Sequence, residues 1–392
     1  MSVGPSDDVA IVGGGHAGLL AGAVLARLGF GVRVVERQPA EAIREAPPDG
    51  RSLALVAGSL RSLKRFGLWS FLEPLGEPVW RTEVADAVTG RRVAYDAPAG
   101  DGPFACGFEN TALRQGLLAA FLAVAGPDRL VRGEVAALGR EADRVSLTLA
   151  DGRRIDARLL VAADGRRSRV RELARIGVRA WRYPQAAVAL VLRHARPHAR
   201  VAREWLRPEG PLALLPLPNG RTGVTWVEPV AAAEAIVAAG QPALLGHLDR
   251  ATGGVLGRLS LESGPALYPL GALHAERYVA PRLALLGDAA HGVHPIHAQG
   301  LNMGVADVAA LADALAAARA RGTDLGSGDA LVPYARARWR ANEGRLFLTD
   351  TLNRVFSTAS PPLAQARGLA LAALDQVGPL RRLAIRHGAE LG

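Results

Sequence analysis

One cysteine, Cys106, in 392 residues excludes a disulfide framework, a cysteine-rich zinc site and a redox-active dithiol together. Any redox chemistry must come from a bound cofactor. Lysine is equally scarce: Lys64 stands alone, so 46 of the 47 basic residues are arginine. Set against 37 acidic residues they leave a net charge of +10, which alone would suggest nucleic acid or an anionic membrane. The arginines are scattered, without a basic block of five or aromatics between them, so nucleic-acid binding is set aside. No basic segment leads into an apolar stretch at the N-terminus, and no apolar run approaches the roughly 20 residues of a membrane span. The expectation is a cytosolic protein with enough chain for two domains and a large core.

What the chain does contain is ordered. A short apolar run at 9–12 meets Gly13-Gly14-Gly15, then an alanine- and leucine-rich stretch to 28 and a second apolar run at 31–36. Strand, helix and strand within some thirty residues predict a βαβ unit and hence a parallel sheet. The middle of the chain alternates instead, with strands expected at 134–138, 144–149, 155–161, 186–193, 212–217 and 222–227. Asp151-Gly152 and Asn219-Gly220 supply hairpin turns between them. The parallel style returns at 283–286 before an alanine-rich helix over 301–319, and the tail from 329 onward reads as mostly helical. One domain is thus interrupted by another. Within the tail, 363–387 carries apolar residues at helical spacing beside Arg367, Arg381, Arg382 and Arg386. A core-packing helix with solvated charges explains that stripe, and a peripheral membrane contact is the alternative.

Three motifs carry chemistry. Gly13-x-Gly15-x-x-Gly18 fits the dinucleotide fingerprint: a tight turn, a close approach for a pyrophosphate, and close packing of helix on strand. With 45 glycines an isolated match means little, but this one sits between a strand and a helix. Glu36 ends the second strand where a ribose hydroxyl needs an acceptor. The second motif is Asp164-Gly165-Arg166-Arg167-Ser168-Arg169-Val170-Arg171 after a buried strand; alone it reads as a turn. In the third, a strand ends in Gly287-Asp288-Ala289-Ala290-His291, and His294-Pro295 and Gln299-Gly300-Leu301-Asn302 lead into a helix start. A carboxylate there can accept from ligand hydroxyls, and free N–H groups favour negative charge.

In this order and at these separations the motifs resemble the FAD-dependent class A aromatic monooxygenases of the para-hydroxybenzoate hydroxylase fold, most of all the ubiquinone-biosynthesis hydroxylases. Asp49-Gly50-Arg51-Ser52, Phe108-Glu109-Asn110, 210–217, Asp350-Thr351-Leu352 and Val355-Phe356-Ser357 extend the likeness over nearly the whole chain. The resemblance implies an α/β fold: a Rossmann-type FAD-binding domain (1–75, 98–178 and 270–330) interrupted by an α+β substrate domain with an antiparallel or mixed sheet (76–97 and 179–269), plus a C-terminal helical segment (331–392). It implies FAD as cofactor, NAD(P)H as a transient co-substrate, and O2. Oxygen would reach a hydrophobic phenol or quinone-type aromatic by way of a C4a-hydroperoxyflavin. A prenyl reductase, epoxidase or halogenase on the same fold, or a non-catalytic FAD-binding protein, are the rivals.

Residue by residue, the resemblance gives Gly13, Gly15, Ala17 and Gly18 to the pyrophosphate, Glu36 to the ribose, and Arg37 and Val135 to the adenine end. Arg51 and Arg114 go to the ribityl and pyrophosphate, Asp164 and Gly165 to a motif touching FAD, and Gly287 and Asp288 to the ribityl chain. Pro295, Gly300, Leu301 and Asn302 go to the flavin edge. The family has Ala-Gly before Gln-Gly, where this chain has His297-Ala298. His297 would therefore lie at the reactive edge as a candidate catalytic base, with loop packing the blander alternative. His291, His294 and His297 recur every third residue without a nearby acidic or cysteine ligand in the sequence, and no metal is expected. The segments 188–192, 212–217 and 222–226 are expected to line the substrate side. Oligomeric state is left unassigned.

Overall fold

A computed structural model describes residues 7–97, 100, 102–295 and 299–357. The expected unit is present as β1 (Asp7–Val12), α1 (His16–Arg27) and β2 (Val32–Glu36). β1 is apolar on both faces because it lies mid-sheet, parallel to β2 on one side and to the strand Arg154–Ala162 on the other. That sheet continues through Leu283–Leu285 to Val279–Ala280 on one edge and to Leu130–Arg132 on the other, with the hairpin Val135–Arg140 and Val145–Leu149 added beside Arg154–Ala162. Leu19, Val24, Val34, Phe121 and Leu285 are among the residues of its core.

The second domain is built on an eight-stranded sheet whose two 17-residue strands, Val178–His194 and Leu259–Ala275, pair antiparallel from Val178 with Ala275 to His194 with Leu259. Val201–Leu206 runs parallel to Arg81–Asp86, so the sheet is mixed. Asn219 and Gly220 both adopt left-handed φ (63° and 65°), the primed turn that Asn-Gly predicts between Leu212–Leu217 and Arg221–Pro229. Alternation then divides the expected substrate side into two faces. Val188, Leu190, Leu192, Leu212, Leu214, Val224 and Trp226 pack as core with residues of the helices Val230–Ala238 and Gln241–Thr252. Only the opposite set, including Ala187, Ala189, Leu215, Gly223 and Val227, is left to turn toward the first domain. Continuous segments were too coarse because the strand period is two.

The last described helix, Gly328–Phe356, spans both domains. Ser327 caps it by accepting from the Ala330 N–H. Tyr334 donates to the Leu285 carbonyl (2.6 Å) in the first core, while Asp350 accepts from Tyr183 (2.8 Å) and Trp181 (3.2 Å) on the long strand. The helix Gln299–Ala320 is long and apolar enough to cross a membrane, but 67% of its apolar window is buried, as a core helix requires. The 363–387 stripe lies outside the described residues.

Candidate cofactor and active site

The site begins at the C-terminal end of β1, where the chain leaves the sheet at Gly13 with φ +107°. A side chain there would drive its Cβ to 2.3 Å from the Ala163 carbonyl oxygen, and a Cβ on Gly18 would lie 1.8 Å from the Gly13 oxygen. Gly15 differs: a Cβ built on it meets nothing within 4 Å. The fingerprint therefore separates physically into two glycines that let protein pack on protein and one that faces open space at the start of α1. That cradle, in front of unbonded helix N–H groups, fits the pyrophosphate of a dinucleotide.

Glu36 is 8% exposed and braces this loop, one carboxylate oxygen accepting from the Gly14 N–H (2.6 Å) and the other from the Gln38 N–H (3.1 Å). Arg114 lies over it, donating to the Gly14 carbonyl (2.9 Å) and Gln38 (2.6 Å), with Glu36 at 3.6 Å. Burial lowers the Arg114 pKa, Glu36 opposes this, and the nearby, exposed Arg37 adds to it. Val135 opens a strand next to the loop where the Gly133 N–H bonds the Glu36 carbonyl (2.9 Å). Glu36, Arg37, Arg114 and Val135 are thus brought together at one end.

At the other end Arg51 pairs with Asp49 (2.6 Å) and lies over the Tyr268 ring at 5.0 Å, joining the glycine-loop domain to the second sheet. Gly287, at φ +57°, turns the chain so that Asp288 is exposed; a Cβ on Gly287 would sit 3.0 Å from that of Ala17. Ala17 is therefore a small contact that lets the Asp288 turn approach α1. Asp288 faces Arg166 at 3.4 Å. Arg166 also donates to the carbonyls of Gly271 (2.8 Å) and Val293 (3.2 Å), tying three segments together.

Asp164 accepts from Ser168 Oγ (2.5 Å) and the Val170 N–H (3.1 Å), closing its own loop beside Gly165 at φ +83°. Asn302 carries a function its position in the helix start did not announce. Its amide accepts from the Val56 N–H (3.0 Å) and Ser59 (2.7 Å) and donates to the Ala54 carbonyl (2.9 Å), fixing the helix start against the strand Ser52–Val56. Gly300 and Leu301 share that first turn, and Leu301 packs on the main core. Pro295 follows His294, whose ring meets Tyr183 edge-on at 5.1 Å. His297 lies outside the described residues.

Behind the Asp288 turn is a buried polar group around Asp307, a residue at the end of the third motif to which the sequence assigned no role. Asp307, fully buried, accepts from His291 (2.5 Å), Arg338 (2.8 Å), Asn342 (3.0 Å) and the Gly287 N–H (3.3 Å). Burial pushes its pKa up, but His291 and Arg338 outweigh that and hold it at about 2. An aspartate set among Gly304, Val305, Ala306, Val308, Ala309 and Ala310 in the apolar middle of the helix was the available signal. His291, read from sequence as lacking an acidic neighbour, has one sixteen residues on. No group of three or more His, Cys, Asp or Glu suited to a metal occurs among the described residues.

Replacing Asp288 with alanine is expected to leave the fold intact, since the side chain is exposed. FAD affinity should fall roughly 10- to 100-fold, the value of about 1.5–3 kcal/mol for a hydrogen bond to a charged group. Flavin content and equilibrium binding of the purified variant check this; unchanged stoichiometric FAD would remove Asp288 from the site.

The FAD binding domain family matches residues 6–339. A ubiquinone hydroxylase of Rhodospirillum rubrum is 39% identical over 380 residues, 97% of this chain and 89% of the relative. The 3-demethoxyubiquinol 3-hydroxylase of Escherichia coli is 34% identical over 388 residues, 98% of each chain. Among solved structures, the p-nitrophenol 4-monooxygenase of Pseudomonas putida superposes with a TM-score of 0.82 over 98% of each chain at 21% identity, which establishes a shared fold.

Proposed function

This chain belongs to the FAD binding domain family, and on that premise we propose that it hydroxylates a hydrophobic ring of the phenol or quinone class, taking reducing equivalents from NADH or NADPH. Two full-length relatives bearing ubiquinone-pathway hydroxylase names support a quinone precursor as the ring. The observation that supports the reading is the sheet face turned away from the second core and toward the first domain: Ala187, Ala189, Leu215, Gly223 and Val227 are small or apolar, beside Tyr183 and Leu270. Such a face offers an apolar ring few competing polar groups.

The bound flavin would supply the redox and oxygen-transfer chemistry. The chain's share is to bind and to orient. Glu36 would accept from the ribose, the Gly15 cradle and Arg114 would hold the pyrophosphate, and Asp288 would accept from the ribityl hydroxyls. Backbone N–H groups at the helix start of Gly300, Leu301 and Asn302 would meet the electron-poor edge of the ring, where the helix dipole favours negative charge. A second glycine fingerprint is absent from the sequence, consistent with a nicotinamide that visits transiently.

Anaerobic stopped-flow reduction by NADH and by NADPH, against phenols and quinones with and without a prenyl tail, tests the reading. The matching ring is expected to accelerate flavin bleaching, and admitting oxygen should yield hydroxylated product. A flavin that neither nicotinamide reduces with any compound of the panel would sink it.

A further inference from the structure

We propose that His16 is a ligand of the cofactor pyrophosphate and takes up a proton as FAD binds, so that pH sets the affinity for the cofactor. The inference rests on the reading of the glycine loop as the FAD site. His16 follows Gly15 as the first residue of α1, in a variable position of the fingerprint. Its Nε2 lies 3.0 Å from the Asn110 carbonyl oxygen, so in the neutral ring Nε2 carries the hydrogen and Nδ1 holds a lone pair. No described residue bonds Nδ1.

The charged groups around this imidazole come from three separate segments. They are Arg114 of the helix Asn110–Ala125, Arg51 ahead of the strand Ser52–Val56, and Asp288 of the turn Gly287–Ala289. Glu36, the other nearby carboxylate of the loop, is engaged by Gly14, Gln38 and Arg114. Two arginines, an imidazole and the open cradle of Gly15 converge, therefore, where two phosphates are expected.

A phosphate oxygen is an acceptor, and so is the Asn110 carbonyl. With an acceptor on each edge, either neutral tautomer leaves one nitrogen lone pair against an oxygen lone pair; only the imidazolium satisfies both. In the free protein burial lowers the His16 pKa, the Asn110 carbonyl resists, and Arg114 and Arg51 lower it further against Asp288, to about 4. The ring is then neutral near pH 7. Two arriving negative charges reverse the balance and raise the pKa of the bound state. Because the bound form holds the extra proton, FAD binding tightens as pH falls through the bound-state pKa, and the gain saturates near the free-state value.

The test titrates FAD into the full-length chain stripped of flavin. Calorimetry at about pH 7 in buffers of different ionisation enthalpy counts protons, and fluorescence quenching gives Kd between about pH 6 and 8.5. Uptake on the order of half a proton or more is expected, with affinity rising by up to about tenfold per pH unit. His16→Gln keeps a donor for the Asn110 carbonyl but cannot titrate, so uptake should vanish and Kd should become flat with pH. His16→Arg carries a permanent charge and should also be flat. Tight FAD binding by the unaltered chain without proton uptake overturns the role of His16 alone, as does uptake that survives in His16→Gln. Failure to bind FAD at any pH overturns the cofactor reading beneath it.

Discussion

Asp307→Asn is expected to yield a protein that melts well below the parent and loses most of its flavin. The carboxylate is the ion-pair partner of buried Arg338, and removing one side of a buried pair typically costs about 3–5 kcal/mol. The damage should reach the cofactor because the same carboxylate bonds the Gly287 N–H, which orients the turn presenting Asp288. A pH signature separates this from generic loss of packing. The Asp307 pKa is about 2 in the fold against an ordinary value of 3.8. Its ionised form therefore contributes stability that is complete above about pH 4 and lost as pH falls through about 2. The variant should lack that acid-side loss. Thermal melts from neutral to acid pH, with flavin content measured at each step, check both effects. A variant that melts with the parent and keeps its flavin would show that the pair is dispensable.

The second large effect is a contrast between two alanines in one motif. Gly18→Ala puts a Cβ 1.8 Å from the Gly13 oxygen, so α1 must move off β1; overpacking of this kind costs about 1–3 kcal/mol or more, and both stability and flavin should fall. Gly15→Ala places its methyl where the protein offers no contact. Its cost to the fold should be at most about 1 kcal/mol, through a poorer helix cap. Yet the methyl occupies the proposed pyrophosphate cradle, so FAD affinity should fall on the order of 100-fold. Melting curves with and without added FAD measure the split: the ligand-induced rise should be lost in Gly15→Ala while the unliganded melt stays near that of the parent. Full FAD binding by Gly15→Ala would place the pyrophosphate elsewhere.

Several features were legible because contiguous residues carry them. The βαβ unit follows from an apolar run, glycines and a second apolar run; the hairpin turn at Asn219-Gly220 follows from two residues that tolerate positive φ. Glu36 could be singled out because the end of β2 lies beside the glycine loop in any such unit. The Asp164 motif was legible as a turn, but its partners were not: only the folded loop shows Ser168 and Val170 bonding its oxygens. His16 was passed over because a histidine in a variable position of the fingerprint says nothing until Arg51, Arg114 and Asp288 are seen around it.

The sequence by itself determined the βαβ unit and the single cysteine's exclusion of dithiol chemistry, which are properties of short windows and of composition, while the whole fold and the cofactor were implied by its resemblance to a known family. Tertiary structure decided which face of each strand in the second sheet is core, what holds the Asp288 turn, and how the helix Gln299–Ala320 is anchored. Asn302 bonds Val56 across 246 residues, and Asp307 meets Arg338 across 31. Such partners are chosen by how the chain closes, and a buried carboxylate finds its counter-charge only once packing has removed water from both.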